Sequence, residues 1–478
     1  MPKKLLGSTS IQSATVQQVG SRDMGDKYPP MMRALMDTVQ ERAVPIQKDL
    51  SCGDPHGVSM FPNSVTDDQK RSDAVRSWLL PDTIQRSNLH ILVGQWAGKV
   101  LVDPEHNSPL AYGVEYGRHR SRTYQVYNNF DVLLAAGSSV SPLILKYSGI
   151  GLKQVLDNAN VTQIVDLPVG INQQDQTTTG IRNRANNDGQ GQGQAAYFAS
   201  FDETFGEFAE EAHDMLTDKT RLRTWAKEVV SRGGFHNVDA LMVQYNNYVD
   251  LITNHNVVYS ELFFDTYGSI NFDLWNLLPF SHGYIHLQNA DPYLRDDDND
   301  PQYFANELDL LGQAAATQLA RNLSGTGSMS QYWEKGLEPG YDKVPEDADI
   351  FAWRDYVMGK YRANYHAVGT ASMMSRELGG VVNSEAKVYG TEGLRVIDGS
   401  IVPTQVSSHV MSIFYGMAEK IAKSILDDYH KEMARSVGVG RRRPGSGNFE
   451  EKYRSGSSRV WRGRSSRPRR ACCSLWFQ

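Results

Sequence analysis

The spacing of apolar residues predicts the first elements of the fold. Directly after Pro29-Pro30, apolar side chains recur at helical intervals, and proline is favoured at the first position of a helix. The apolar face of this predicted helix consists of Met31, Met32, Leu35 and Val39. Three strand-like segments follow at residues 89–93, 98–102 and 111–116. The pattern therefore predicts a helix followed by a sheet.

A strand, a glycine turn and a helix follow one another between residues 131 and 147. The run DVLLAA over 131–136 is short, continuous and apolar, as in a strand that is covered on both faces. Gly137-Ser138 supplies a turn, and the apolar segment 142–147 predicts a helix. Because this order is typical of layered α/β folds, we expect an α/β region here.

The pattern weakens in the middle of the chain and returns toward its end. Residues 161–291 are rich in aromatic and amide side chains with little periodicity, and NNDGQGQGQ at 186–194 predicts a surface loop. A long helix is predicted over 301–322 and a strand over 394–397. A last helix is predicted to end near Tyr429. Its apolar face consists of Ile413, Met417, Ile421 and Ile425.

Composition indicates a globular protein with an unusual end. The 478 residues are 40% apolar and 22% charged, and no apolar run approaches the roughly 20 residues that span a bilayer. From His430 onward, 13 Lys and Arg against 3 Asp and Glu give a charge of +10, which leaves −16 on the rest. Residues 430–478 show no hydrophobic period, which predicts a disordered basic tail. Its abrupt composition favours a linker or translated non-coding sequence over nucleic-acid binding.

Several short motifs that would indicate a particular chemistry are incomplete, absent or lie in the wrong structural context. The dinucleotide fingerprint G-x-G-x-x-G does not occur, and its nearest approach at 149–151 lacks the third glycine. The acidic run 296–300 has the spacing of a calcium loop, but Pro301 occupies the glycine position, which favours a solvated acidic loop. His282 and His286 do not predict a metal site, because the segment between them alternates like a strand. A serine hydrolase is disfavoured by the absence of G-x-S-x-G.

Two further histidines, His366 and His409, stand beside small-residue turns near the predicted strand 394–397. The carboxyl ends of strands in α/β folds are where cofactors and substrates gather. From the residue pattern alone, each histidine is either a structural residue or part of such a site.

At several points the sequence resembles one enzyme family. Residues 137–151, GSSVSPLILKYSGIG, resemble without a mismatch the second signature of the glucose–methanol–choline (GMC) oxidoreductases. LPVGINQQD at 167–175 and the block from HAVGT to MAEK at 366–420 are similar to further landmarks of the family. Within the family, TQVSSHVM and SELFFDTYGSINFDLWNLLPF are similar to the fungal glucose oxidases. The resemblance covers about residue 14 to about residue 429, with the motifs in the family order.

The resemblance implies a mixed α/β and α+β fold. An incomplete, Rossmann-like FAD-binding domain would be interleaved with a substrate domain of one sheet plus helices. We expect residues 1–49 to be a remnant of the substrate-domain and lid region, 50–155 part of the FAD-binding domain, and 156–295 the substrate-binding domain. Residues 296–429 would return to the FAD-binding domain, and 430–478 would form the tail.

The activity that the resemblance implies is an FAD-dependent oxidation of a CH–OH group with O2 as acceptor, as in the conversion of β-D-glucose to gluconolactone and hydrogen peroxide. Removing a hydride requires the adjacent hydroxyl to lose its proton, so a base is needed beside the flavin. His409 matches the base of the family, and His366 matches a partner that hydrogen-bonds the same hydroxyl and, once protonated, stabilises the developing negative charge. Glu261 matches the carboxylate that orients His409.

The resemblance also implies how the sugar is bound. Asp273 and Asn364 match polar anchors, and Arg362 matches a hydrogen-bond donor. Phe263 and Trp275 match apolar walls. A site of this kind discriminates against analogues that lack a hydroxyl group.

For FAD, Ala97 matches a backbone contact at the adenine end, and Asp398-Gly399 and Val410-Met411 match the turns at the pyrophosphate–ribityl portion and the flavin ring. The implied partners are a sugar, O2 and a second copy in a homodimer, without a membrane and without metal. Family members of this kind are secreted, and the sequons at Asn160 and Asn322 suit a secreted glycoprotein, although the N-terminus does not read as a signal peptide.

The chain also departs from the family pattern. It lacks the strand, glycine fingerprint and helix that hold the FAD pyrophosphate, and a sugar-stacking tyrosine from the same part. Cys52 matches half of a disulfide whose partner would lie at about residues 8–14, where there is no cysteine. We therefore expect a gene model truncated at the front and misread at the tail, and poor folding without flavin for the chain as it stands. The alternative is a non-catalytic carbohydrate-binding or inactive relative that lacks FAD.

Overall fold

A computed structural model describes residues 30–438 except 51–52, 67, 69, 187–193, 266–268 and 295. Its α-helices are α1 Pro30–Gln40, α2 Ala74–Trp78, α3 Pro81–Ile84, α4 Ser141–Tyr147, α5 Lys153–Asn158, α6 Phe201–Phe205, α7 Ala209–Thr217, α8 Lys219–Ser231, α9 Val238–His255, α10 Glu307–Gly325, α11 Ile350–Met358 and α12 Val410–Gly438. Its strands are β1 Gly57–Met60, β2 Trp96–Asp103, β3 Leu110–His119, β4 Arg122–Tyr127, β5 Val132–Leu134, β6 Ile171–Gln173, β7 Thr177–Ala185, β8 Gln194–Ala199, β9 Ser260–Asp265, β10 Ile270–Asn276, β11 Gly283–Leu287, β12 Asp297–Asp300, β13 Trp333–Glu338, β14 Arg362–Ala363 and β15 Leu394–Val396.

Most elements predicted from the apolar pattern are confirmed. The helix after Pro29-Pro30 is α1, which buries its apolar face. The predicted segments 98–102 and 111–116 lie within β2 and β3, and β5 lies within the predicted segment 131–136. Helix α4 and strand β15 also lie where they were predicted. The strand predicted at 89–93 is wrong, because the backbone there forms no strand and Val93 is 73% exposed.

Several predicted boundaries need correction. The helix predicted from residue 301 begins only at Glu307, because Asn306 caps it by accepting a hydrogen bond from the Asp309 backbone N–H. The last helix, α12, continues beyond Tyr429 to Gly438. The acidic run predicted as a loop is strand β12, which pairs antiparallel with β11. The middle of the chain holds α6 to α9, which the pattern did not predict.

A large antiparallel sheet presents two different faces. Its strand order is β1-β8-β9-β10-β7-β13, with β14 also paired to β7. On β9 and β10, one set of alternating side chains is buried in the same core as the apolar side of α10. This set consists of Leu262, Phe264, Phe272 and Leu274. Each such burial stabilises the fold by about 1.5–3 kcal/mol. The alternate set therefore points to the opposite face of the sheet.

The opposite face brings together four polar and aromatic residues. In the register of β9 and β10, Glu261 lies opposite Trp275 and Phe263 lies opposite Asp273. Residues that face each other across an antiparallel pair have side chains on the same side of the sheet. The fold thus places these four side chains side by side.

A second core surrounds the short parallel pair β5 and β15. The carboxyl ends of both strands are joined by Asp398, whose Oδ2 accepts a hydrogen bond from the Gly137 N–H at 3.0 Å and whose Oδ1 accepts one from the Ser400 N–H at 2.8 Å. Gly137 has a φ of 84°, a left-handed conformation that favours glycine. The two strand ends form one edge, which is the position where α/β folds bind ligands.

Some predictions concern residues outside the described part of the chain. Cys52, residues 187–193 of the predicted loop and the tail beyond residue 438 belong to this group. Among the helices that are described, none has both the length and the apolarity to cross a membrane.

Lys146 gives the stability an unusual pH dependence. Its side chain is fully buried, and its Nζ donates to the Ile285 carbonyl and lies 3.0 Å from His286 Nδ1. Burial lowers the pKa of Lys146 from 10.5 to about 7. Between these values the unfolded state binds more protons, so the free energy of unfolding should rise with pH. We expect Lys146→Met to remove this rise, measured by urea unfolding at about pH 7 and about pH 9.

Lys153→Met is the matched control, because Lys153 is an exposed lysine paired with Asp157. This variant should keep the pH dependence of the wild type. An unchanged slope in Lys146→Met would contradict the assignment.

Candidate active site

His409 and Glu261 form a partly buried hydrogen-bonded pair. His409 directly precedes α12, and its Nε2 lies 2.7 Å from Oε1 of Glu261 on β9. The Glu261 side chain is 0% exposed, whereas that of His409 is 31% exposed. Because the carboxylate accepts the Nε2 proton, the neutral ring keeps Nδ1 as an acceptor. Burial opposes the charged form, but the charge of Glu261 and the hydrogen bond outweigh it and raise the pKa of His409 above 6.5.

His366 lies beside His409, and its surroundings shift its pKa in the opposite direction. The two ring centroids are 5.8 Å apart, and Trp275 meets both rings edge-on at 6.2 Å and 5.8 Å. Phe61 packs on His409 at 4.9 Å. Burial, followed by the charge of His409, lowers the pKa of His366 to about 4. Near neutral pH, His366 is therefore uncharged, and His409 is the histidine that is suited to hold a proton.

Buried polar groups hold His366 on several sides. Asp175 Oδ1 accepts the His366 backbone N–H at 2.8 Å, and Gln405 Nε2 donates to the His366 carbonyl at 2.8 Å. On the ring, Nδ1 lies 2.8 Å from Gln176 Oε1 and 3.0 Å from Asn364 Nδ2. The orientation of the imidazole is thus set by the protein itself.

Of the five residues predicted to bind sugar, Trp275 and Asn364 contact the histidines directly, and the other three lie next to Trp275 or to one another. Phe263 and Trp275 stack at 6.4 Å with an interplanar angle of 25°. Asp273 lies opposite Phe263, and its Oδ1 accepts hydrogen bonds from Arg362 Nη2 at 3.2 Å and Arg182 Nη2 at 2.8 Å. Aromatic faces next to charged and amide groups suit a ligand that carries many hydroxyl groups.

The residues predicted to contact FAD lie on the second core and at the start of α12. Asp398 and Gly399 follow β15 at the carboxyl edge of the parallel pair. Val410 and Met411 begin α12 directly after His409, and Met411 is 46% exposed. Ala97 lies in β2 and packs against the second core.

Two polar atoms at the site have no hydrogen-bond partner within the described residues. Glu261 Oε2 and Gln405 Oε1 are buried in this state. An unpaired buried acceptor costs about 1–3 kcal/mol, so a donor from a ligand would be stabilised there. This observation supports a ligand site next to His409 and His366.

The sequence did not single out several residues of this site. Phe61 and Arg182 gave no signal, whereas Asp175 is the last residue of the family landmark at 167–175. That run of buried amide and acidic side chains was available as a signal, because such groups need partners when they are buried.

Comparison with known proteins gives a consistent result. Two family models described as GMC oxidoreductase match residues 7–178 and 279–418. A glucose oxidase of Aspergillus carbonarius is 58% identical over 86% of this chain and 67% of that protein. A glucose oxidase of Penicillium chrysogenum is also 58% identical, over 86% of this chain and 67% of its own length.

Solved structures show the same fold. An FAD-dependent oxidoreductase from Chaetomium thermophilum superposes with a TM-score of 0.69 at 24% identity, over 85% of this chain and 73% of that one. A fungal aryl-alcohol oxidase gives a TM-score of 0.71 at 23% identity, over 84% of this chain and 71% of that one.

Proposed function

The chain belongs to the GMC oxidoreductase family and is a glucose-oxidase-like FAD oxidoreductase, and we propose that its reaction is the oxidation of β-D-glucose at C1 with O2 as acceptor. The observation that carries this proposal is the His409–Glu261 pair beside His366 and Trp275. The identity to glucose oxidases supports the choice of substrate.

We assign the proton transfer to His409. Its Nδ1 accepts the proton of the C1 hydroxyl, and Glu261 stabilises the positive charge that the ring then carries. When bound, FAD supplies the acceptor for the hydride from C1 and the route of the electrons to O2. Glucose loses two electrons and two protons to form gluconolactone, and the same electrons and protons convert O2 to hydrogen peroxide.

His366 starts the reaction uncharged because its pKa is lowered to about 4. The neutral ring does not repel the proton that moves to His409, and its Nε2 can accept a hydrogen bond from a neighbouring hydroxyl of the sugar. Asp273 and Asn364 would hold further hydroxyl groups, with Arg362 as a donor. A sugar that lacks one of these hydroxyls would leave a polar group unpaired, which is the basis of discrimination.

The residues at the ring end suit FAD. The turn at Asp398-Gly399 and the first turn of α12 at Val410-Met411 would hold the ribityl and ring portions, and Ala97 the adenine end. The buried, unpaired oxygen of Glu261 supports a ligand at this position.

The proposed function is tested with the purified chain and FAD. Visible absorption of bound flavin, its bleaching by β-D-glucose without oxygen, and hydrogen peroxide when oxygen is admitted would support the proposed function and contradict the expectation that this chain binds no flavin. Titration calorimetry with glucose separates the alternative, a carbohydrate-binding protein without catalysis. Glucose binding without bound flavin would favour that alternative. If the chain showed neither flavin absorption nor glucose binding, both hypotheses would be contradicted.

We further propose the division of the chain at residues 50, 156, 296 and 430, a homodimer and secretion. Strands β7 to β10 lie within 156–295 and form the centre of the large sheet, which supports a substrate domain there. Asn160 and Asn322 are both exposed, as glycosylated sequons of a secreted protein must be. Light scattering tests the homodimer. Mass spectrometry of protein recovered from the culture medium tests secretion.

Glu261→Gln is expected to move the pH profile of turnover. A base must be unprotonated, so the rate of flavin reduction rises as pH passes upward through the pKa of His409, which Glu261 raises. Replacing the carboxylate by an amide removes the raising charge, and the rising limb moves to lower pH. The value of kcat at high pH should also fall, by up to about 10⁴-fold, because the tautomer of His409 is no longer fixed. The measurement is kcat against pH.

Asp202→Asn is the matched control for this variant. Asp202 forms the same type of carboxylate–histidine pair with His213, at 2.6 Å, on the surface. Its pH profile should equal that of the wild type. A rising limb that stays in place in Glu261→Gln would exclude His409 as the base.

A further inference from the structure

The side chain of Gln176 occupies a position that decides the tautomer of His366. Gln176 is 1% exposed, and its Oε1 lies 2.8 Å from His366 Nδ1. Its Nε2 donates to the Leu277 carbonyl at 3.4 Å, which keeps the carboxamide oxygen directed at the ring. Among the hydrogen bonds of the described residues, none engages Nε2 of His366.

We propose that Gln176 is a positioning residue for the oxidation: it fixes the proton of neutral His366 on Nδ1 and leaves Nε2 as an acceptor for a sugar hydroxyl other than the one whose proton moves to His409. The catalytic part of this inference rests on the function proposed above. The tautomer itself is set by groups of this chain alone.

The competing contact on the ring is weaker. Asn364 Nδ2 lies 3.0 Å from the same Nδ1, and it also donates to Gln176 Oε1 at 3.2 Å. If Nδ1 carried no proton, the Gln176 oxygen would face a lone pair at the shortest distance in this group. With the proton on Nδ1, Gln176 Oε1 accepts from both neighbours, which a carbonyl oxygen with two lone pairs can do.

The backbone of Gln176, and not its side chain, attaches this segment to its neighbours. Its backbone carbonyl accepts the Asn364 N–H at 2.9 Å, and the next residue, Thr177, pairs with Ala363 through β7 and β14. These backbone contacts hold the segment before His366 without help from the carboxamide. A change of the side chain alone therefore leaves the loop attached.

The experiment uses the full chain labelled with ¹⁵N-histidine, in which ring nitrogen shifts report the tautomer. The variants are Gln176→Met, which keeps the volume, and Gln176→Glu, which keeps an acceptor but adds charge. The His366 signals are assigned by their loss in His366→Asn. In the wild type we expect a protonated Nδ1, and in Gln176→Met a shift of the proton toward Nε2. In Gln176→Glu we expect Nδ1 to stay protonated and the ring to titrate at higher pH.

Gln173→Met is the matched control. Gln173 is a buried glutamine of β6 whose Oε1 has no partner within the described residues, so its loss should leave the His366 signals unchanged. Unchanged His366 shifts in Gln176→Met would overturn the inference, as would an equal change in Gln173→Met. If Gln176→Met does not fold, an unaltered His366 titration in Gln176→Glu overturns it instead.

The catalytic role of Gln176 is tested by kinetics on the flavin-loaded protein. We expect Gln176→Met to lower kcat and kcat/KM together by about 10–100-fold, as outer partners of functional histidines do. Gln176→Glu should recover part of the rate with a displaced pH profile. A changed tautomer with unchanged kcat would overturn the positioning role. Wild-type chain without flavin or turnover would contradict the proposed function, while the tautomer measurement would still decide the assignment of Gln176.

Discussion

His409→Ala is expected to lower kcat for glucose oxidation by about 10²–10⁴-fold, because the variant lacks the group that accepts the hydroxyl proton. The loss should appear in the rate of flavin reduction, measured by stopped flow without oxygen. Glucose affinity should change less, since Trp275, Phe263 and Asp273 remain in place. The variant also leaves the buried Glu261 without its partner.

The loss of stability caused by leaving Glu261 without its partner should depend on pH. The folded pKa of His409 is raised, so the pair stabilises the native state below about pH 6.5 and loses this contribution as pH rises through the folded pKa. The variant should therefore be less stable than the wild type at about pH 5.5, with a smaller difference at alkaline pH. His213→Ala, which breaks the surface pair with Asp202, is the control for both measurements. Flavin reduction at the wild-type rate in His409→Ala would assign the base elsewhere.

Arg395→Met is expected to lower the free energy of unfolding by about 3–5 kcal/mol. The Arg395 side chain is 1% exposed, and its Nε and Nη2 donate to Asp131 at 2.7 Å and Asp428 at 2.9 Å. Its Nη1 also donates to the Glu385 carbonyl at 2.9 Å. Replacing it leaves two carboxylates without their buried partner. Urea unfolding with tryptophan fluorescence measures the change.

Lys423→Met serves as the control, because Lys423 and Asp427 form an exposed pair one helical turn apart in α12. Its removal should change stability by about 0.5 kcal/mol or less. Hydrogen bonds from Lys387 and Arg395 hold the pKa of Asp428 well below its usual range. The advantage of the wild type should therefore be present above about pH 4 and shrink at lower pH. Equal effects of both substitutions would contradict a special role for Arg395.

The apolar pattern predicted α1 but missed α8, which buries Leu222, Trp225, Ala226 and Val229 among charged neighbours, and α9, whose buried face is partly polar. The helix α1 follows directly from its spacing of methionine, leucine and valine. The helix α9 buries Gln244, Tyr245 and Tyr248, and Tyr245 donates its hydroxyl to the Phe280 carbonyl at 2.6 Å. Helix α9 also buries Ala240, Leu241 and Ile252 on this face, so its hydrophobic period is diluted by polar groups whose burial depends on partners from other segments.

The same reason explains which parts of the site could be predicted. The roles of His409, His366 and Glu261 came from family motifs, and the structure brings these residues together. The contact of Gln176 with His366 spans 190 positions, and no local spacing can indicate it. Domain boundaries and individual site roles remain predictions.

The pairing of β9 with β10 limits how this pocket can change during evolution. Side chains alternate along a strand, so one residue inserted into or deleted from either strand would turn Glu261 or Trp275 toward α10 and bring core leucines into the pocket. Substitutions, in contrast, can alter the pocket one position at a time. Relatives that oxidise different alcohols are therefore expected to keep the length of these two strands and to differ in the residues they carry there.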